Sequence, residues 1–169
     1  MKAIVVDGYN LIHSQPRLQA LMAEGHESAR QALIAELVPL ASPDRYDLVM
    51  VVFDAAGSLQ QEPIVEDQRG VTVVFTKRNQ SADSFIEAAV KHLACEGEVE
   101  VSTGDRAVRS VSTGFGARPL DPASLFARAE EALAEIRRDM RVMERTSRSR
   151  LEDRVGEEVR HILDEMRYG

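Results

Sequence analysis

Apolar runs rich in β-branched residues recur along the chain, and stretches with helical spacing separate them. Ile4-Val5-Val6 opens the series and Leu48 to Phe53 and Val71 to Phe75 repeat it; Glu98 to Ser102 forms a short fourth strand, and Ala117 to Leu120 can supply a fifth. Runs of this length bounded by turn residues predict strands covered on both faces. Ala29, Ala32, Leu33, Leu37 and Leu40 recur at helical spacing up to Pro43. Ala82, Phe85, Ile86, Ala89, Val90, Leu93 and Ala94 do so without a miss, as the apolar face of a packed helix requires. A shorter helix is expected from Arg17 to Glu24, a polar connection from Asn10 to Pro16, and a loop or lid from Ala55 to Gly70, where no periodicity is visible. Strands alternating with helices predict an α/β fold, with a parallel sheet of about five strands between two helical layers.

From Asp121-Pro122, an acid cap followed by a first-turn proline, the pattern is helical to the end. Leu125, Ala129, Leu133, Ile136, Met140 and Met143 form one stripe; after Thr146-Ser147, a second contains Leu151, Val155, Val159, Ile162 and Met166. The division expected is a domain over residues 1–145 and a C-terminal helical extension over 146–169. Three roles are open to the extension: packing on the domain, pairing with a second copy as a homodimer, or gripping another partner.

Composition narrows the setting. A chain of 169 residues is long enough for one domain that buries roughly 70% of its unfolded surface. Its single cysteine, Cys95, reads as a small core residue and fits a reducing compartment. The first apolar run breaks at Asp7 and no run approaches a membrane span, so a cytoplasmic protein without membrane contact is expected. A net charge of -7 argues against indiscriminate coating of nucleic acid, while leaving room for a local basic patch.

The chemistry gathers where the strands end. Asp7 follows the first run, Asp54 the second and Asp105 the fourth; Asp83 stands in the first turn of the helix after the third. Parallel strands bring their carboxyl ends to one edge, where α/β proteins bind ligands. Carboxylates crowded there raise one another's proton affinity unless a cation neutralises them. Oxygen donors without Cys or His favour magnesium or manganese over zinc, and such an ion suits phosphodiester hydrolysis. Each acid also has an ordinary role open to it: Asp7, Asp83 and Asp105 as helix caps or dipole partners, Asp54 as a turn former, and Glu87 as an ion-pair partner of Lys91. Asn10 can orient a ligand and Ser81 can cap a helix.

Val6-Asp7-Gly8-Tyr9-Asn10, Val52-Phe53-Asp54, Thr76-Lys77 with Ser81-Ala82-Asp83-Ser84-Phe85-Ile86-Glu87, and Ser102-Thr103-Gly104-Asp105 together resemble the YacP-like branch of the NYN domains, within the PIN-like nucleases. The resemblance covers roughly residues 1–133. It implies a PIN-like α/β/α sandwich and a metal-dependent endoribonuclease acting on RNA, including RNA engaged in translation on the ribosome. Asp7, Asp83 and Asp105 match the metal ligands, with Asp54 and Asn10 in support. Gly104-Asp105 departs from the Ser-Asp common in relatives, which leaves that loop's geometry open.

RNA has to be held as well as cut. Lys77, Arg78 and Ser81 border the expected site, Arg106 and Arg109 stand on the following helix, and Arg137 and Arg141 belong to a basic run that reaches Arg150. Guanidinium groups suit phosphates; the alternative is a solvated helix face with internal ion pairs. Tyr9 can stack on a base or simply pack. The competing function is an RNA-binding module of the same fold without cleavage. A phosphotransfer domain is weaker because Asp7-Gly8-Tyr9 lacks a second acid, and dinucleotide binding weaker still because no Gly-x-Gly-x-x-Gly follows the first strand.

Overall fold

The computed structural model describes residues 1–55 and 59–143. The basic positions Arg145, Arg148 and Arg150 and the expected extension over 146–169 lie outside them. Six strands form one sheet in the order β3-β4-β2-β1-β5-β6: β1 (Lys2–Asp7), β2 (Leu48–Phe53), β3 (Ile64–Gln68), β4 (Val71–Phe75), β5 (Glu98–Ser102) and β6 (Arg118–Leu120). All neighbours run parallel except β3, which pairs antiparallel with β4. The helices are α1 (Gly8–Ser14), α2 (Pro16–Leu21), α3 (His26–Leu37), α4 (Ala82–Leu93), α5 (Arg106–Gly114) and α6 over residues 122–143. The chain divides into two compact units, Met1–Ala132 and Leu133–Gly169. The fold class expected from the sequence is present, with the sheet larger and mixed.

Alternation along the strands sorts the core into two layers. Ile4 and Val6 of β1, with Val49, Val51 and Phe53 of β2, pack against α1, α2, α3 and the start of α6. Ala3 and Val5, with Val52, Val99 and Val101, pack against α4 and α5. Successive strand side chains point to opposite faces, so a strand buried on both sides is largely apolar, as the runs of β1, β2 and β4 are. Central placement of β1 between β2 and β5 makes it the strand flanked by connections that leave in both directions, the position at which α/β sheets open a crevice.

Three local readings need correction. Residues after Asn10 are not a polar connection: α1 begins at Gly8, and its two turns are too short to display a helical repeat. The stretch from Ala55 to Gly70 contains strand β3. Four of its five residues are exposed, so hydrophobic alternation, the usual signal for a strand, is absent. Its turn is the better clue: Arg69 and Gly70 both have positive φ, 60° and 87°, as a two-residue hairpin turn demands. Cys95 is exposed rather than buried, because α4 ends at Leu93 and its apolar stripe stops short of the cysteine.

Gly8 is fixed by packing. A Cβ at this position would lie 2.3 Å from the ring of Phe53, which is fully buried and stacks on Phe75 at 5.7 Å. An alanine recovers about 0.5–1 kcal/mol of helix propensity, whereas overpacking a core costs ~1–3 kcal/mol. The clash wins, and Gly8→Ala is expected to lower the urea midpoint of unfolding. A midpoint equal to or above that of the parent would show that the Phe53 ring yields freely.

Candidate active site

Strand alternation aims the site. Asp7 follows Ala3 and Val5 on the face of β1 that packs against α4 and α5, and Asp54 continues the same face of β2 beyond Val52. On β5 the residues on this face are Val99 and Val101, and Thr103 follows in phase. In register Asp7 lies beside Val52, and Val6 lies between Val51 and Ser102. The ends of three adjacent elements therefore meet where α4 and α5 begin.

Asp7 is buried, 7% exposed, and caps α1 by accepting the Asn10 N–H at 3.2 Å. Its second oxygen accepts the hydroxyl of Thr103 at 3.1 Å. Thr103 is itself fully buried and accepts the Asp105 N–H at 3.0 Å, so one hydroxyl links two of the acids. Asn10 Oδ1 accepts the Gly104 N–H at 2.5 Å, tying α1 to the same loop. A Cβ on Gly104 would lie 2.8 Å from that oxygen; glycine thus allows the close approach, which gives the open loop geometry a physical reason. Asp105 caps α5, accepting from Ala107 and Val108 at 2.7 and 3.3 Å. Arg109 donates to the Thr103 carbonyl at 2.9 Å, closing the loop from behind.

Electrostatics unite the acids. Burial pushes the Asp7 carboxyl above its usual range, the Asn10 and Thr103 hydrogen bonds oppose that rise, and Asp83 and Asp105 add to it. Asp83, at the exposed start of α4, is also raised, by desolvation and then by Asp105 and Asp54. Asp7 thus feels Asp83 and Asp105, and Asp83 feels Asp105 and Asp54. Among the described residues, no three Asp, Glu, His or Cys side chains are grouped tightly enough to hold a metal ion as they stand.

The surrounding residues divide. Lys77 is half-buried and Arg78 exposed in the loop after β4, and Arg106 is exposed at the start of α5. Arg109 is turned inward to the loop. Ser81 caps α4, accepting the Ser84 N–H at 3.2 Å. Arg137 and Arg141 are exposed and belong to the second unit. Glu87 is half-buried on α4, while Lys91 stands over the Phe115 ring at 5.8 Å. Tyr9 packs: its ring meets Phe53 and His26 edge-on at 5.2 and 5.7 Å, and its hydroxyl accepts from Arg30 at 2.9 Å. Thr103 escaped sequence reading; a threonine in phase with a buried strand and two before an acid was the signal available.

The same residues carry the relationship to known proteins. The model of the YacP-like NYN domain matches residues 4–168. This chain belongs to that family. It is 32% identical to the uncharacterized protein YacP of Bacillus subtilis, over all of this chain and 98% of that one. The crystal structure of Rae1 (YacP) from Bacillus subtilis superposes with a TM-score of 0.72 at 29% identity, covering 100% of this chain and 96% of the other. A single-substitution mutant of that protein gives 0.70 at 30%, covering 85% and 84%. YacP-like NYN domains are a nuclease-type family. No helix of the described residues is long and apolar enough to cross a membrane.

A raised carboxyl has a measurable signature. The unfolded chain ionises Asp7 at the ordinary value of 3.8 and the fold ionises it higher. In that interval the native state holds the extra proton, and stability falls as pH rises through it. In chelator at pH 7, Asp7→Asn is therefore expected to melt at a higher temperature than the parent, with the gain vanishing below about pH 4. Equal or lower melting at pH 7 would contradict the electrostatic account.

Proposed function

We propose that this NYN-family protein is a divalent-metal-dependent endoribonuclease that hydrolyses RNA phosphodiester bonds. The observation that carries the reading is the convergence of the acids on one sheet edge, where Asp83 and Asp105 raise Asp7, and Asp105 and Asp54 raise Asp83. Neighbouring oxygen-only acids oppose the ionisation of Asp7 and Asp83, and a hard cation relieves that opposition. Asp7, Asp83 and Asp105 are the residues that would hold Mg2+ or Mn2+, with Asp54 beside them. When bound, such an ion would neutralise phosphoryl charge and lower the pKa of an attacking water.

The remaining steps belong to the chain. Thr103 holds one oxygen of Asp7 and the Asp105 backbone together, fixing the distance between two carboxylates before substrate arrives. Asn10 spends its Oδ1 on Gly104, which turns its Nδ2 into the group available to donate to a phosphate oxygen. Lys77, Arg78 and Arg106 supply positive charge along the approach, and the Arg109 guanidinium braces the loop. RNA is the proposed partner, free or presented on the ribosome, in a cytoplasmic setting. The basic run from Arg137 and a homodimer through the C-terminal helices remain proposals of the same kind.

One observation favours a second reading. Asp7 and Asp105 both serve as helix caps, and no ready-made three-ligand cluster exists among the described residues, as expected for an RNA-binding module that does not cut. Labelled RNA separates the two. Cleavage is expected in Mn2+ or Mg2+, none in chelator, and a loss of at least about 100-fold in Asp83→Asn, since residues one shell from a metal already account for 10–100-fold. RNA that is bound equally in chelator and metal and stays intact, with ribosomes present, supports the binding module instead.

A further inference from the structure

The opposite end of the sheet holds a second collection of charge. A cavity of about 460 Å³ opens at the amino ends of β1, β2, β5 and β6, and four cations (Lys2, Arg45, Arg118, Arg128) and three carboxylates (Asp44, Glu100, Glu131) line it. It shares no residue with the acid site.

Glu100 is the buried member, 8% exposed. Its Oε2 accepts the Tyr46 hydroxyl at 2.5 Å and Arg128 Nη1 at 2.9 Å. Arg128 Nη1 also donates to the Tyr46 oxygen at 2.8 Å. One guanidinium nitrogen thus serves both partners, and among the described residues Arg128 Nε and Nη2 meet no acceptor. Lys2 Nζ lies over the Tyr46 ring at 4.8 Å and has no carboxylate within ion-pair distance among those residues. Arg118 spends one nitrogen on Glu98 at the exposed rim. Lys2, Arg118 and Arg128 therefore each keep a donor to spare, and charged donors are satisfied by oxyanions.

We infer that this cavity is a binding site for a phosphorylated sugar, with Lys2, Arg118 and Arg128 gripping the phosphate and Asp44 and Glu131 accepting from sugar hydroxyls. The volume falls in the range of small-molecule sites and exceeds what a lone phosphate fills. Leu40 is the single aliphatic wall and Lys2 covers the Tyr46 ring, so nothing stacks a base and the sugar phosphate is the recognised unit. The same chemistry is offered by free ribose 5-phosphate and by the 5′-phosphorylated ribose of a mononucleotide. The inference is independent of the proposed nuclease activity.

Calorimetric titration of the full chain with ribose 5-phosphate, adenosine 5′-monophosphate, inorganic phosphate and ribose tests it. Ribose 5-phosphate is expected to bind more tightly than inorganic phosphate, and ribose not at all. Lys2→Met, which keeps the ring covered and leaves the backbone bond from residue 2 to Asp47, should weaken binding by about 10-fold or more, the effect of one lost charged hydrogen bond. Arg118→Gln, at the exposed rim, should do the same without touching the Tyr46–Glu100–Arg128 contacts, and Asp83→Asn should leave affinity unchanged. Adenosine 5′-monophosphate binding as tightly as ribose 5-phosphate identifies the nucleotide as an acceptable source; much weaker binding restricts the site to the free sugar phosphate. Affinity that is indifferent to both Lys2→Met and Arg118→Gln, that is lost in Asp83→Asn, or that is no better than for inorganic phosphate overturns the inference.

Discussion

A carboxylate buried at the end of a central strand is the constraint on which the site rests. Asp7 has to be where it is because strand alternation and the parallel register deliver it to the α4/α5 face, and it has to be held there because burial opposes its charge. The Asn10 N–H and the Thr103 hydroxyl stabilise the ion that burial and the neighbouring acids disfavour. From those two bonds follow the start of α1 and the placement of the β5–α5 loop. Gly8 lets the chain turn under the Phe53 ring, and Gly104 lets the loop reach Asn10. The motif around Asp7 is therefore a set of steric and hydrogen-bond requirements that reinforce one another.

Two acids of nearly equal burial make the point about neighbours. Asp7 and Glu100 are 7% and 8% exposed, yet they titrate in opposite directions. Burial pushes both up. At Glu100 the Tyr46 hydroxyl and the Arg128 guanidinium outweigh it and the carboxyl is lowered, while Tyr46, desolvated and beside the anion, is pushed up to about 12. At Asp7 the neighbours are themselves acids and the net direction is upward. The first arrangement is a satisfied ion pair; the second is tension of the kind associated with functional sites.

Much of this was legible in the chain. The apolar runs predicted β2 and β4 because strands covered on both faces leave no polar alternation to misread, and α4 was plain because one clean stripe faces the sheet. Acids at strand ends were visible for the same reason. Strand β3 was hidden because an edge strand with exposed side chains has no core pattern, and α1 because two turns are less than a period can show. Arg109 was read as an RNA contact and Tyr9 was open to stacking or packing; the hydrogen bonds that turn Arg109 to a loop carbonyl and Tyr9 to Arg30 join residues too far apart in the chain to be foreseen. Residue type announces chemistry; partners from different elements decide whether the side chain is free to perform it.

The hairpin that hid from pattern reading carries a consequence of its own. Strand β3 completes the hydrogen bonding of β4 and then faces outward with Glu66 and Asp67 exposed along the rim. A sheet edge is a template for any passing strand, and charge on it is a common guard against such pairing. Glu66 and Asp67 thus oppose edge-to-edge pairing on a strand that also exposes Ile64 and Val65.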